Sequence, residues 1–401
     1  MYFKRRTEES VTIHDPSKTY GGYTLFAGPH SSTDVWLINM KGCIVHRWKM
    51  PTPLGSDVRL LSNGNQIRVN KTGREPTGFL GTVGGELVEE DWKGNVVWRY
   101  EALFMHHDFC RLENGNTLLN RHVLMPPEIA SKVKGGIPGT ELEGGMWGNA
   151  FQEITPAGKA VWEWLGYEHM DPEIDIPCPI CPRSIWGYVN GIDVFPNGDI
   201  VASFRYLNSL IIIDRHTGAM KWRWGHWELG HQHNPTVLEN GNILVFDNGY
   251  HRLPPYAYRT THSMEAYSRV LEVNPKTDKI EWEYRDESLL NFYSAVCSSA
   301  ERLPNGNTLI CESTKGRIFE VTPDKEIVWE FVSPFYEFKE RLGWTNYVFR
   351  AHRYGYEYPG LTGKDLNPDG FEWVVRKKGK EENAALKREE AMRSRLSNLG
   401  Y

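Results

Sequence analysis

The chain reads as all-β, a six-bladed β-propeller of four-stranded antiparallel blades, because two features recur along its length. An Asn-Gly pair returns at Asn63-Gly64, Asn114-Gly115, Asn197-Gly198, Asn240-Gly241 and Asn305-Gly306. Both residue types tolerate positive φ, so Asn-Gly between alternating apolar runs marks a hairpin. A short strand ending in aromatic-x-aromatic also returns, at Trp98-Arg99-Tyr100, Trp162-Glu163-Trp164, Trp222-Arg223-Trp224, Trp282-Glu283-Tyr284 and Trp329-Glu330-Phe331, with a degenerate copy at His46-Arg47-Trp48. The copies lie roughly 60 residues apart, and each is preceded by a further strand and tight turn, so one repeat holds four strands. Alternation along a strand puts the paired aromatics on one face, where they fill the space between neighbouring blades.

Taken in order, residues 1–20 form a polar arm, 21–358 the propeller and 359–401 a charged tail, helix-prone over 377–399. Residues 22–48 supply three strands, one short of a blade; the missing innermost strand is expected from residues 346–354. Blades two to six then fall at 56–100, 107–164, 190–224, 233–284 and 298–331. Two stretches break the period, the Gly/Pro-rich 135–148 and residues 165–186. Excess loop of this kind is usually functional or disordered, and at least one stretch is expected to overhang the ring.

Composition narrows the class. With 46 basic and 51 acidic residues among 401, nothing points to nucleic acid or a membrane surface. No apolar run approaches membrane-spanning length, the N-terminus lacks a signal-peptide core, and the 6 Cys are mostly isolated in strand-like segments. The expectation is a soluble cytoplasmic protein with reduced thiols, acting on a small, anionic or aromatic molecule, with a homo-oligomer possible. Cys178-Pro179-Ile180-Cys181 has no second such pair to complete a metal set, so it reads as two ordinary cysteines.

The chemistry gathers in register. Seven residues before successive Asn-Gly turns stand Ser56, His107, Asn190, His233 and Ser298. The strand entering this turn is the innermost of a blade, so these positions face one another around the axis. An apolar core would not choose such types, since buried polar groups cost free energy unless paired. Each alone is expected to cap a strand; two His in register with an Asn favour a site. Arg205 ends the strand returning from Asn197-Gly198, and Asp247-Asn248 hold the matching place in blade five. His107, Asn190, Arg205 and His233 thus make a donor-rich pocket suited to an oxyanion such as sulfate or phosphate.

Several stretches also resemble, in order, the landmarks of the arylsulfotransferase family. They are residues 42–48 and 91–98, His106-His107-Asp108, Gln232-His233-Asn234-Pro235, Phe246-Asp247-Asn248-Gly249, Tyr267-Ser268-Arg269 and Phe349-Arg350-Ala351. The resemblance spans about residues 20–355 and implies a six-bladed propeller. It also implies sulfuryl transfer from a phenolic sulfate to another phenol through a sulfohistidine, with no cofactor. On that resemblance the nucleophile is His233, with His107, Asn190 and Arg205 around it; Asn248, Arg269 and Arg350 are carried as substrate-binding residues, together with His231 beside the pocket. One position departs: Tyr188 stands where the family has a second catalytic histidine. A phenol donates a proton but is uncharged at neutral pH, with a reference pKa of about 10.

Two other classes stay open at this point. His106, His107, His231, His233 and His251 lie near the pocket, and imidazoles converging on the axis would bind a divalent transition metal, giving a lyase or hydrolase. A non-catalytic binding platform is the third reading.

Overall fold

A computed structural model describes residues 10–29, 32–74, 83–226, 228–252, 266–340 and 343–368. Its antiparallel sheets are arranged like propeller blades. One combines Ala351–Gly355 with Gly22–Ala27, Asp34–Ile38 and Ile44–Lys49, so the far end of the chain does supply the strand missing from the first repeat. A second runs Val189–Val194, Ile200–Phe204, Ser209–Ile213, Met220–Trp224; a third, His233–Val237, Ile243–Asp247, Arg269–Asn274, Lys279–Tyr284. The fourth, Ser299–Arg302 to Ile327–Val332, gains an edge strand from Val11–His14. Part of the expected polar arm is therefore sheet.

Among the described residues four separate blades result, not six: three of four strands and one of four with an added edge strand. Where the sequence predicts blades two and three, one seven-stranded sheet runs from Leu54–Leu60 to Ala160–Leu165. The cause is local: Val96–Arg111 carries no Gly or Pro, and its 16 residues run, through one bulge at Met105–Phe109, from the outer edge of one expected blade to the inner edge of the next. The helical tail expected over 377–399 lies outside the described residues. Residues 359–368 pack back instead, with Leu361 buried beside Trp48.

Apolar clusters fill the seams between sheets. Phe151 and Trp164 meet Phe204 and Ile211, while Trp329 and Phe331 meet Phe26 and Trp36. The recurring tryptophans also latch one repeat to the next through the indole N–H, which needs an acceptor when buried. Trp98 donates to the Pro156 carbonyl, Trp164 to Gly218, Trp224 to Asp278, Trp282 to Pro323, Trp329 to Met40 and Trp48 to Asp91. Among the described residues no helix is long and apolar enough to cross a membrane.

Candidate active site where the first strands meet

Four strands carry an irregularity beside the inward-facing polar position. Register shifts fall between Leu54 and Val58, Met105 and Phe109, Val189 and Ile192, and His233 and Thr236. His107, Asn234 and Ser298 take positive φ there, at 58°, 51° and 83°. Bulges of this kind bend a strand and re-aim its side chains, often beside active sites. Ser56, His107, Asn190, His233 and Ser298 are all buried. The His107 and His233 rings, from different sheets, lie 6.2 Å apart between centroids.

The residue after two of these positions ties one strand start to the next. Asp108 Oδ2 accepts from Ile192 N at 3.1 Å, and Asn234 Oδ1 accepts from Ala300 N at 3.1 Å. Gly191 has no side chain to offer, and the next strand closes in: a Cβ there would meet Pro235 Cδ at 2.5 Å and Asn234 N at 2.9 Å. Behind this ring lies a buried ionic web. Arg59 and Arg350 share Asp57 and Asp108, and His352 Nε2 contacts Asp57 at 3.1 Å.

His233 has a defined tautomer. Asn248 Nδ2 donates to the carbonyls of Ser294 (2.7 Å) and Cys297 (3.0 Å), which fixes the amide's orientation. Its Oδ1 then faces His233 Nδ1 at 2.7 Å, and the His231 carbonyl lies 3.1 Å from the same nitrogen. Both are acceptors, so Nδ1 carries the proton and Nε2 keeps its lone pair, receiving only a 3.3 Å hydrogen bond from Cys297 N.

Burial, then Arg205, holds the His233 pKa well below the usual histidine value, against the hydrogen bond to Asn248. His107 is pushed down by burial, then by His233 and His122. His106 is lowered by burial and by its neighbours His122 and His107; burial takes His122 to about 3. The group is therefore neutral at pH 7. The sequence missed His122, whose ring stacks on His106 at 3.5 Å; no register argument picks it out.

The positive charge is Arg205, in the 3-10 turn Arg205–Leu207 after the strand that pairs with Val189–Val194. It is 8% exposed, and its guanidinium lies over the rings of Tyr206 (5.3 Å), Tyr188 (5.9 Å) and Tyr250 (6.0 Å). Among the described residues no carboxylate pairs with it. A cation held by aromatic faces and left without a counter-ion suits an incoming anion. Tyr188 joins it to the histidines, its ring 5.2 Å from His107 and perpendicular to it.

Other expected site residues lie elsewhere or are already engaged. Arg269 donates to Asp247 and Glu228, which satisfies its charge and leaves no free fork for a substrate. Arg350 is held by Asp57, Asp108 and the Asn190 carbonyl, so it braces Asn190. His231 is drawn away from the pocket, with its Nε2 3.2 Å from Cys181 Sγ. The five histidines of the metal alternative divide accordingly: His106, His107 and His233 stay central, while His231 and His251 join Cys178 and Cys181. A groove of about 480 Å³, lined by Ile176, Leu207, Arg223, Trp224, His226 and others, contains none of the central residues.

A family model described as arylsulfotransferase (ASST) matches residues 82–334. The chain belongs to the arylsulfotransferase family. That stretch holds His107, Tyr188, Asn190, Arg205, His233 and Asn248. No curated protein sequence matches this arylsulfotransferase-family chain. Among solved structures it is similar to a protein of unknown function from Bacteroides caccae, at 12% identity and a TM-score of 0.52, covering 82% of this chain and 98% of that one. It is less similar to a virginiamycin B lyase from Staphylococcus aureus, at 13% identity and a TM-score of 0.39, covering 70% of each chain. The first likeness is one of fold alone.

Proposed function

We propose that this arylsulfotransferase-family chain moves a sulfuryl group from a phenolic sulfate to a phenol through a sulfohistidine at His233. The observation that carries the reading is the Nε2 lone pair of a neutral, oriented imidazole beside a buried guanidinium that has no counter-ion among the described residues. The sulfate monoester binds with its oxygens toward Arg205, the Asn190 amide and an N–H of His107. His233 Nε2 forms a bond to sulfur as the bond from sulfur to the aryl oxygen breaks, and that oxygen leaves with the electron pair. Tyr188 gives it a proton. The acceptor phenol then returns a proton to the Tyr188 oxygen while its own oxygen takes the sulfuryl group from Nε2, which restores both residues. Sulfuryl transfer resembles phosphoryl transfer, so positioning and charge stabilisation do most of the work.

Incubation with 4-nitrophenyl sulfate and a phenol acceptor tests this. The expected result is ping-pong release of nitrophenol and, without acceptor, one sulfuryl group added to the intact protein mass. Folded protein that releases no nitrophenol overturns the reading.

A further inference from the structure

The geometry points to a closed Cys2His2 zinc site formed by Cys178, Cys181, His231 and His251, separate from the histidines at the centre. The four ligand atoms lie within 4.8 Å of one another. Cys181 Sγ is 3.2 Å from His231 Nε2 and 3.5 Å from His251 Nδ1, and Cys178 Sγ is 3.5 Å from that same Nδ1. In a tetrahedral site with Zn–S near 2.3 Å and Zn–N near 2.0–2.1 Å, a sulfur and a nitrogen sit about 3.6 Å apart. The spacing thus matches the edges of one coordination tetrahedron. It is too tight for a two-iron cluster, whose cysteine and histidine ligands occupy different irons. Soft sulfur with imidazole nitrogen in this geometry selects zinc.

The ligands come from three segments. Cys178 and Cys181 belong to the second period-breaking stretch, where Cys181 N donates to the Cys178 carbonyl at 3.0 Å. His231 enters the strand of His233, and His251 follows the partner strand, so one hairpin brings both to the same end. Both histidines take positive φ, at 54° and 60°, which aims their rings away from the sheet. Cys178, Cys181 and His231 are buried, and the cysteines pack with Ile185, Tyr188 and Tyr206. Four protein ligands leave no open position, so the ion is structural and activates no water. It fastens residues 165–186, which pack on Tyr188 and Tyr206, to the loop that leads into His233. Because this rests on the ligand geometry alone, it stands or falls apart from sulfuryl transfer.

The test is metal content of the full-length chain, expressed with zinc and purified under reducing conditions. About one zinc per chain is expected. Stripping with a chelator and adding cobalt(II) should give thiolate-to-cobalt charge transfer together with tetrahedral d–d bands. Cys181→Ser and His251→Ala should each lose the zinc, while Cys43→Ser, a thiol elsewhere in the fold, should keep it. Should those variants fail to fold, the stripped and re-titrated wild type carries the test. Folded wild type that holds no stoichiometric metal and gives no charge-transfer band overturns the site. So does a Cys178–Cys181 disulfide in metal-free protein as isolated, or full zinc retention by His251→Ala.

Discussion

The Asn248 side-chain oxygen lies 2.7 Å from His233 Nδ1, and the amide nitrogen beside it is committed to the carbonyls of Ser294 and Cys297. That amide, with the His231 carbonyl 3.1 Å from the same nitrogen, sets which imidazole nitrogen can attack. Asn248→Ala is expected to lower kcat for aryl sulfate about tenfold with little change in KM, because the His231 carbonyl alone then holds the attacking tautomer and the ring's orientation. It should also cost on the order of 1–3 kcal/mol of stability, since two buried carbonyls lose their donor. Steady-state kinetics and urea denaturation on the same preparation check both; unchanged kcat in a folded variant sinks the assignment.

Arg205 is expected to trade stability for binding. Its buried charge meets aromatic rings and no carboxylate among the described residues. Arg205→Met should raise the KM for 4-nitrophenyl sulfate at least about tenfold, while raising the thermal midpoint, as removal of a buried charge without a counter-ion often does. A lower midpoint together with normal KM would show that the guanidinium is structural.

The ionic web behind the site sets an alkaline limit on stability. Burial opposes the charge on His352, but Asp57 and Glu301 more than offset it and hold the imidazole up at about 9, above its usual 6.5. A group raised in the folded state contributes fully below pH 6.5, and its contribution disappears as pH rises through about 9. Discounted for the 18% exposure of the ring, this is on the order of 1–3 kcal/mol. Denaturation midpoints should therefore fall between pH 6.5 and 9 in the wild type, and more shallowly in His352→Gln. Parallel profiles would remove His352 as the cause.

Gly191 marks the closest approach between first strands. A methyl group there would press on Pro235 and on the Asn234 backbone. Gly191→Ala is expected to cost about 1–3 kcal/mol and to reduce activity by shifting Asn190 against His233. A variant of wild-type stability and activity would mean that the strands part easily.

The central residues were legible because repetition turns a linear spacing into a spatial one. His107, Asn190 and His233 stand seven residues before their Asn-Gly turns, and a hairpin of fixed length returns each to the same end of its sheet. Asn248 was legible for the same reason, as the partner position on the returning strand. Such register stops at the backbone, and it could not show that Arg269 turns to Asp247 and Glu228.

What the chain determines by itself is local: strands, turns, latching tryptophans and the positions that face inward. Only the tertiary structure decided how neighbours combine. Val96–Arg111 carries no Gly or Pro and stays paired on both sides of its bulge at Met105–Phe109, so two expected blades became one sheet. The histidines parted into two groups because the backbone turns at His231, at φ 54°, so that it meets Cys181 and His251 while His233, two residues on, meets Asn248 and His107. Cys178 and Cys181 met His231 and His251 across 50 to 73 residues of chain, since loop length sets no partner until the sheets are packed.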